Sequence, residues 1–237
     1  VVIAVIALLL ALLIPALRSA REQGQRAVCL SNLKQLTLAW LAYADEHDSA
    51  LVYGATGTLT STKRTMNGGI KTIILQGWAS SAFSTSSTRA ELIADPNKGA
   101  LWPWIKNVDI YRCPRIQADN LLTYAVVPSA NGGTRVPGTS WGNDYLGIRI
   151  GSTVLKLSRL TDIVSPGAGQ RAVFIDGGNR GYNGSYYVEY LQPRWYKSDA
   201  PIHHHDGTTL SMADGHAEYW KWKGRETVVD AVRRSGV

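Results

Sequence analysis

The 237 residues leave room for one globular head once a terminal extension is set aside, and two cysteines are too few for a disulfide framework or a cysteine-based zinc site. Twenty-five Lys and Arg against 18 Asp and Glu give a formal charge of +7, but no run of five basic residues and no nucleic-acid-binding signature occurs, which argues against specific DNA or RNA recognition. No H-E-x-x-H, G-x-S-x-G or P-loop pattern is present, so the chain is expected not to be an enzyme.

Val1 to Leu17 contains no charged or polar side chain, and charge begins abruptly at Arg18, Arg21, Glu22 and Arg26. As a helix this run is about 25 Å long, slightly short of a ~30 Å hydrocarbon core. The chain opens on Val with no basic segment ahead of the apolar run, so a processed or truncated N-terminus with a few apolar residues upstream is expected. Pro15 removes the bond to the Ala11 carbonyl and predicts a kink or a locally unwound segment, with Gly24 as a second weak point. Beyond the charges, Leu30, Leu33, Leu36, Trp40 and Tyr43 recur at spacings of three and four and define one face. The predicted element is a single rod from Val1 to about Asp48, roughly 70 Å long. Residues 1–24 form its apolar half, suited to a bilayer or to a bundle of identical helices. Residues 25–52 form an amphipathic half packed on the head, and residues 53–237 are the head itself.

Within the head, residues 54–69 and 80–88 are rich in Gly, Ser and Thr and predict irregular surface connections around the apolar stretch Ile70 to Trp78. Leu101 to Ile105 predicts a short helix with Pro at an early position, and Tyr111 to Pro114 an extended piece ending in a turn. Tyr124 to Gly151 has successive turn signals and predicts loop, with Asn183-Gly184-Ser185 a candidate glycan acceptor further on. Strands are predicted at Arg171 to Asp176, Ser185 to Leu191, Thr208 to Ala213 and His216 to Trp222. The last two form a hairpin on a two-residue Asp214-Gly215 turn of type I′, and Glu226 to Arg234 ends as a short helix. The fold class is α+β: a long kinked N-terminal helix on a small antiparallel sheet.

Three sets of side chains are candidate sites. Cys29 and Cys113 form either a bridge that staples the helix to the head or two buried free thiols. His203, His205, Asp206, Asp214 and His216 lie within fourteen positions with His204, and imidazoles with carboxylates are common transition-metal ligands. Adjacent histidines on a strand point to opposite faces, so a structural role at the hairpin stands beside that reading. Asp199, Asp206 and Asp214 form an alternative calcium set. Tyr186, Tyr187, Tyr190, Trp195 and Tyr196 suggest either a sticking surface for ligand or glycan, or core and subunit contacts. No cofactor is expected beyond such a calcium or transition-metal ion.

The apolar run with its central Pro15, followed by an amphipathic helix and a β head, resembles a type IV pilin or type II secretion pseudopilin lacking its first residues. A narrower resemblance is to bacterial pilin-like proteins with an H-x9-DG C-terminal motif. It is carried by Ala20 to Gln23, Val28 to Leu36, Leu101 to Trp104, Tyr111 to Pro114, and His204 separated by nine residues from Asp214-Gly215. The resemblance implies an extracellular structural filament subunit at the cell surface, anchored in the inner membrane before a pilus or secretion machinery assembles it. It also implies pairing of Cys29 with Cys113, and the family's aromatic residue and glutamate would lie upstream of Val1. A filament of this kind would bury Val1, Val2, Ile3, Val5, Ile6, Leu8, Leu9, Leu10, Leu12, Leu13, Ile14, Pro15 and Leu17 against identical subunits. The competing class is a singly anchored surface domain that binds metal or ligand through the His203 to His216 region.

Overall fold

The computed structural model describes residues 2–64, 70–84, 88–116, 121–132, 149–150, 152–178, 186, 188–189, 194–195 and 200–224. Val1, the 183–185 acceptor, most of the 124–151 loop, Asp199, Tyr187, Tyr190, Tyr196 and the 226–234 helix therefore lie outside the described residues.

Helix α1 runs unbroken over Val2–Glu46. It continues through Pro15 with no unwound residue, so the locally melted segment expected there is absent. Pro15 removes only its own N–H bond, and the Ala- and Leu-rich turns on both sides have high helix propensity. Two left-handed residues, Asp48 (φ 52°) and Ser49 (φ 64°), end the run, and the Ser49 N–H closes back on the Ala44 carbonyl at 2.8 Å.

Burial divides this helix sharply. Eleven large apolar residues from Val2 to Leu17 are 46–83% exposed, whereas Cys29, Leu33, Leu36, Trp40 and Ala44 are fully covered. Their spacings of four, three, four and four make one stripe facing the head. Leu30 and Tyr43, expected on the same face, sit at its margins and are half-buried, because the centre of the stripe falls on Cys29 and Ala44 instead.

The stripe lies on a four-stranded antiparallel sheet. Its strands are β3 (Tyr124–Val126), β6 (Ala172–Asp176), β9 (Gly207–Met212) and β10 (Ala217–Lys221), in the order β10-β9-β6-β3. Alternation sorts the side chains: Tyr124, Val126 and Phe174 join the α1 side of the core, while Ala125, Ile175, Leu210 and Met212 pack with Tyr186 on the other. Every residue of β9 is buried, as expected for a central strand covered on both faces. Tyr186 is 1% exposed and is core, so it belongs to no sticking surface. A buried polar contact fixes helix to sheet: Thr37 Oγ1 lies 2.6 Å from Ser211 Oγ, which accepts the Phe174 N–H at 3.3 Å.

Among the described residues, three two-stranded ribbons accompany this sheet: β1 (Thr58–Arg64) with β2 (Ile70–Gln76), β4 (Arg149–Ile150) with β5 (Thr153–Val154), and β7 (Val188–Glu189) with β8 (Arg194–Trp195). The Gly/Ser/Thr-rich tract predicted as irregular thus supplies β1. Thr58, Thr60 and Thr62 are β-branched and favour a strand, which the Gly and Ser around them hid, and the ladder to β2 pairs them. Two short helices follow, α2 (Arg89–Ala94), started by a Thr88–Glu91 capping box, and α3 (Trp102–Ile105), which begins one residue before Pro103 as expected. The hairpin between β9 and β10 forms on a different turn from the one predicted. The Gly215 N–H bonds the Met212 carbonyl at 2.9 Å, the Met212 N–H bonds the His216 carbonyl at 2.8 Å, and only Gly215 of the connecting residues has a positive φ, 95°. This is a three-residue Ala213-Asp214-Gly215 loop; a type I′ turn would need positive φ at two central positions.

Trp40→Ala should cost about 3–5 kcal/mol, the range for truncating a buried aromatic, whereas Leu38→Ala, at a half-exposed position on the same helix, should cost less than ~1 kcal/mol. Urea titration followed by near-UV circular dichroism checks the contrast, and equal losses at both sites would contradict the stripe.

Candidate functional site

Four chain segments meet beneath the second half of α1. Cys29 comes from the helix. Cys113 follows the turn Val108–Tyr111, where its N–H donates to Thr123 Oγ1 at 2.6 Å. Asp176 is the last residue of β6, and His204 sits in the tight turn that leads into β9. All four side chains are completely buried, and their donor atoms lie within 4.8 Å of one another.

The separations are specific. The sulfurs of Cys29 and Cys113 are 2.6 Å apart, so the structure brings together the pair implied by the resemblance. His204 Nε2 is 3.4 Å from Cys113 Sγ and 3.5 Å from Asp176 Oδ2, while its Nδ1 is 3.4 Å from Glu22 Oε1, two turns before Cys29 on α1. Asp176 Oδ1 accepts the Gly178 N–H at 3.3 Å, which leaves Oδ2 toward the histidine. Asp176 Oδ2, His204 Nδ1 and Glu22 Oε1 are buried without a hydrogen-bond partner.

Electrostatics follow from that packing. The neighbouring Cys29 thiol, with burial, pushes the Cys113 thiol well above its ordinary range. Burial works to lower the His204 pKa, but the contacts to Asp176 and Cys113 outweigh it and leave the imidazole raised to about 9. Tyr124, whose hydroxyl lies 3.5 Å from Asn32 Nδ2, is raised chiefly by burial.

The turn carrying His204 is held from outside. The N–H groups of His203 and His204 both reach the Gly207 carbonyl, at 3.1 and 3.2 Å, and the turn closes through His205 at a φ of 61°. The Tyr219 hydroxyl on β10 lies 2.8 Å from the His204 carbonyl oxygen and 2.6 Å from Asp206 Oδ1. Lys221 stands 2.6 Å from Asp206 Oδ2 and, with Tyr219, draws that carboxyl down to about 2. The Arg26 guanidinium lies over the Tyr219 ring at 4.6 Å. Next to this turn opens a cavity of about 600 Å³ at the foot of the exposed helix, lined by Arg18, Arg26, Arg115 and Lys221 together with Glu22 and Asp206.

The metal set expected from the sequence is not assembled. His205 and Asp206 lie at the entry to β9, whereas Asp214 and His216 lie beyond its exit, six residues or roughly 20 Å along the strand. Asp214 and His216 pair with each other at 2.6 Å and are 42% and 45% exposed. Strand length keeps the two ends of the H-x9-DG pattern apart, and only His204 reaches the buried cluster. Sequence reading missed Asp176 and Glu22. Two signals pointed to them: the apolar pair before Asp-Gly recurs at Phe174 to Gly177 and at Met212 to Gly215, and Glu22 precedes Cys29 by seven residues on one helix face.

Two thiols, an imidazole and a carboxylate are the donors that zinc and related transition ions take, whereas calcium requires six or more oxygens. No family model, curated protein or solved structure matches this chain.

Tyr219→Phe removes the hydroxyl that joins the His204 carbonyl to Asp206 and should lower stability by about 1–2 kcal/mol without changing the fold. Urea denaturation at neutral pH, with far-UV circular dichroism of the folded baseline, checks it.

Proposed function

We propose that the chain is a membrane-anchored subunit of a helical filament, of the kind that type IV pilins and type II secretion pseudopilins resembled by its sequence build. The observation that supports this reading is the state of the first half of α1. It is long and apolar enough to cross a membrane, and none of its apolar window is buried by the head. Water is a poor solvent for such a surface. Each Leu, Ile or Val removed from water contributes on the order of 1.5–3 kcal/mol, so these side chains favour lipid, other copies of the helix, or both in turn.

A filament supplies the second environment after the membrane has supplied the first. Helical assembly needs a heterologous contact that does not close into a ring, and a rod apolar all round presents different faces to successive neighbours. Arg18, Arg21 and Arg26 then mark the edge of the apolar core, meeting anionic headgroups before assembly and acidic groups of neighbouring subunits afterwards. The head remains outside and supplies the exposed surface. This role is structural and calls for the assembly machinery of a pilus or secretion system, an inner-membrane precursor and an extracellular product. The short secretion pseudopilus and the singly anchored surface domain are the rival readings.

The test is electron microscopy of material sheared from cells expressing the chain with its assembly system. Fibres containing the chain are expected, and Leu9→Glu or Leu12→Arg should abolish them while the head keeps its circular dichroism spectrum and cooperative unfolding. Filaments surviving either substitution would overturn the reading. A wild-type chain recovered only from membranes, never as fibres, would favour the singly anchored domain.

A further inference from the structure

We propose that Cys29, Cys113, His204 and Asp176 form a tetrahedral binding site for a divalent ion of the zinc class, which fastens α1 to the sheet. The inference stands on the buried cluster alone and does not depend on whether the chain polymerises.

Donor type agrees with such an ion, and two of the six donor–donor separations already fit it. A tetrahedral zinc with bonds of about 2.0–2.3 Å separates its ligands by roughly 3.3–3.8 Å. The Cys113 Sγ to His204 Nε2 distance of 3.4 Å and the His204 Nε2 to Asp176 Oδ2 distance of 3.5 Å already match such edges. The sulfurs, at 2.6 Å, must open by about 1 Å to take an ion between them. Four donors from four separated parts of the chain make a closed site of the structural type, which leaves no position for a reacting water.

The atoms around the cluster are those an ion needs. Asp176 is fully buried, one of its oxygens is engaged by the Gly178 N–H, and the other faces His204 Nε2 at 3.5 Å without forming a hydrogen bond. A buried carboxylate oxygen without a donor is costly, and a cation on it removes that cost. His204 directs Nε2 at the donors, and its Nδ1 lies 3.4 Å from Glu22 Oε1 without a hydrogen bond between them; a small turn of the ring on binding would form the bond by which an outer carboxylate fixes the tautomer of a ligating imidazole. Glu22 is therefore a positioning residue. On binding, the two thiol protons leave to solvent and the thiolates take their place at the ion.

A disulfide between the same sulfurs excludes this ion, and mass separates the two states. The full-length chain is expressed in zinc-supplemented medium, purified in detergent, and examined by elemental analysis and by intact mass in denaturant without reductant. About one zinc per chain and a fully reduced mass are expected, together with intense visible absorption of tetrahedral thiolate type when cobalt(II) replaces zinc. The pair Cys29→Ser and Cys113→Ser should lose the ion, whereas His205→Ala with His216→Ala should keep it. Glu22→Gln should weaken zinc affinity by ~10–100-fold in competition with a chromogenic chelator while leaving the circular dichroism spectrum unchanged. Chelation should lower the melting temperature of the wild-type chain by ~8–15 °C. A mass lighter by the two thiol hydrogens, reduced thiols with no zinc, or zinc retained by the double serine variant would each overturn the site.

Discussion

Along α1 the required solvent changes within about four turns. At Ile14 the side chain is 46% exposed with only apolar neighbours in sequence, and at Cys29 it is fully enclosed by the head. The two halves cannot be satisfied by one packing arrangement, because the head offers a single groove and the first half is apolar on every side. A helix is the one regular element that can make this passage, since its backbone bonds are internal and ask nothing of the surroundings. The rod therefore emerges from the domain with its backbone satisfied and its side chains uncovered.

That constraint explains the construction of the head. The sheet must offer α1 a flat apolar face while hiding its own second face, and β9 does both as the central strand. Ser211 meets Thr37 on the helix side, and Leu210 and Met212 meet Tyr186 on the other. The neighbouring aromatic cluster of Trp78, Tyr111, Phe83 and Phe174, with centroids 4.4–5.7 Å apart, extends the same core toward the ribbon and the short helices. Stability at the helix–sheet seam comes from shape and burial, with a few enclosed polar contacts fixing the register.

The long helix, the central hairpin and the α+β class were legible because each rests on local pattern: continuous apolar residues, three-and-four spacing, and alternation around Asp214-Gly215. The loop of that hairpin was less so, since Asp-Gly suits both a type I′ turn and the third position of a longer loop, and only the register of β9 against β10 decides. The buried cluster was hidden for another reason. Its members are separated by up to 175 positions, from Cys29 to His204, and no spacing rule links a helix cysteine to the end of a strand. Histidines crowded in sequence drew attention to the wrong set, because a strand carries its two ends apart. His204 alone of the crowd is fully buried, whereas His203 is half-buried beside Gly178 and His205 and His216 are exposed.

Glu22 and Cys29 place the cluster at the mechanical root of the rod. Residues 2–17 extend roughly 24 Å beyond the head, so any force on that segment acts with a long lever on the first enclosed turns. Burial alone resists such bending weakly at an edge, where the outermost contacts open first and expose little apolar area. The ion proposed between Cys29 and three other chain segments acts differently, because the helix could not then peel from the sheet without breaking its coordination. The buried polar cluster and the uncovered apolar segment are in this sense one design: the first holds fixed the point from which the second projects.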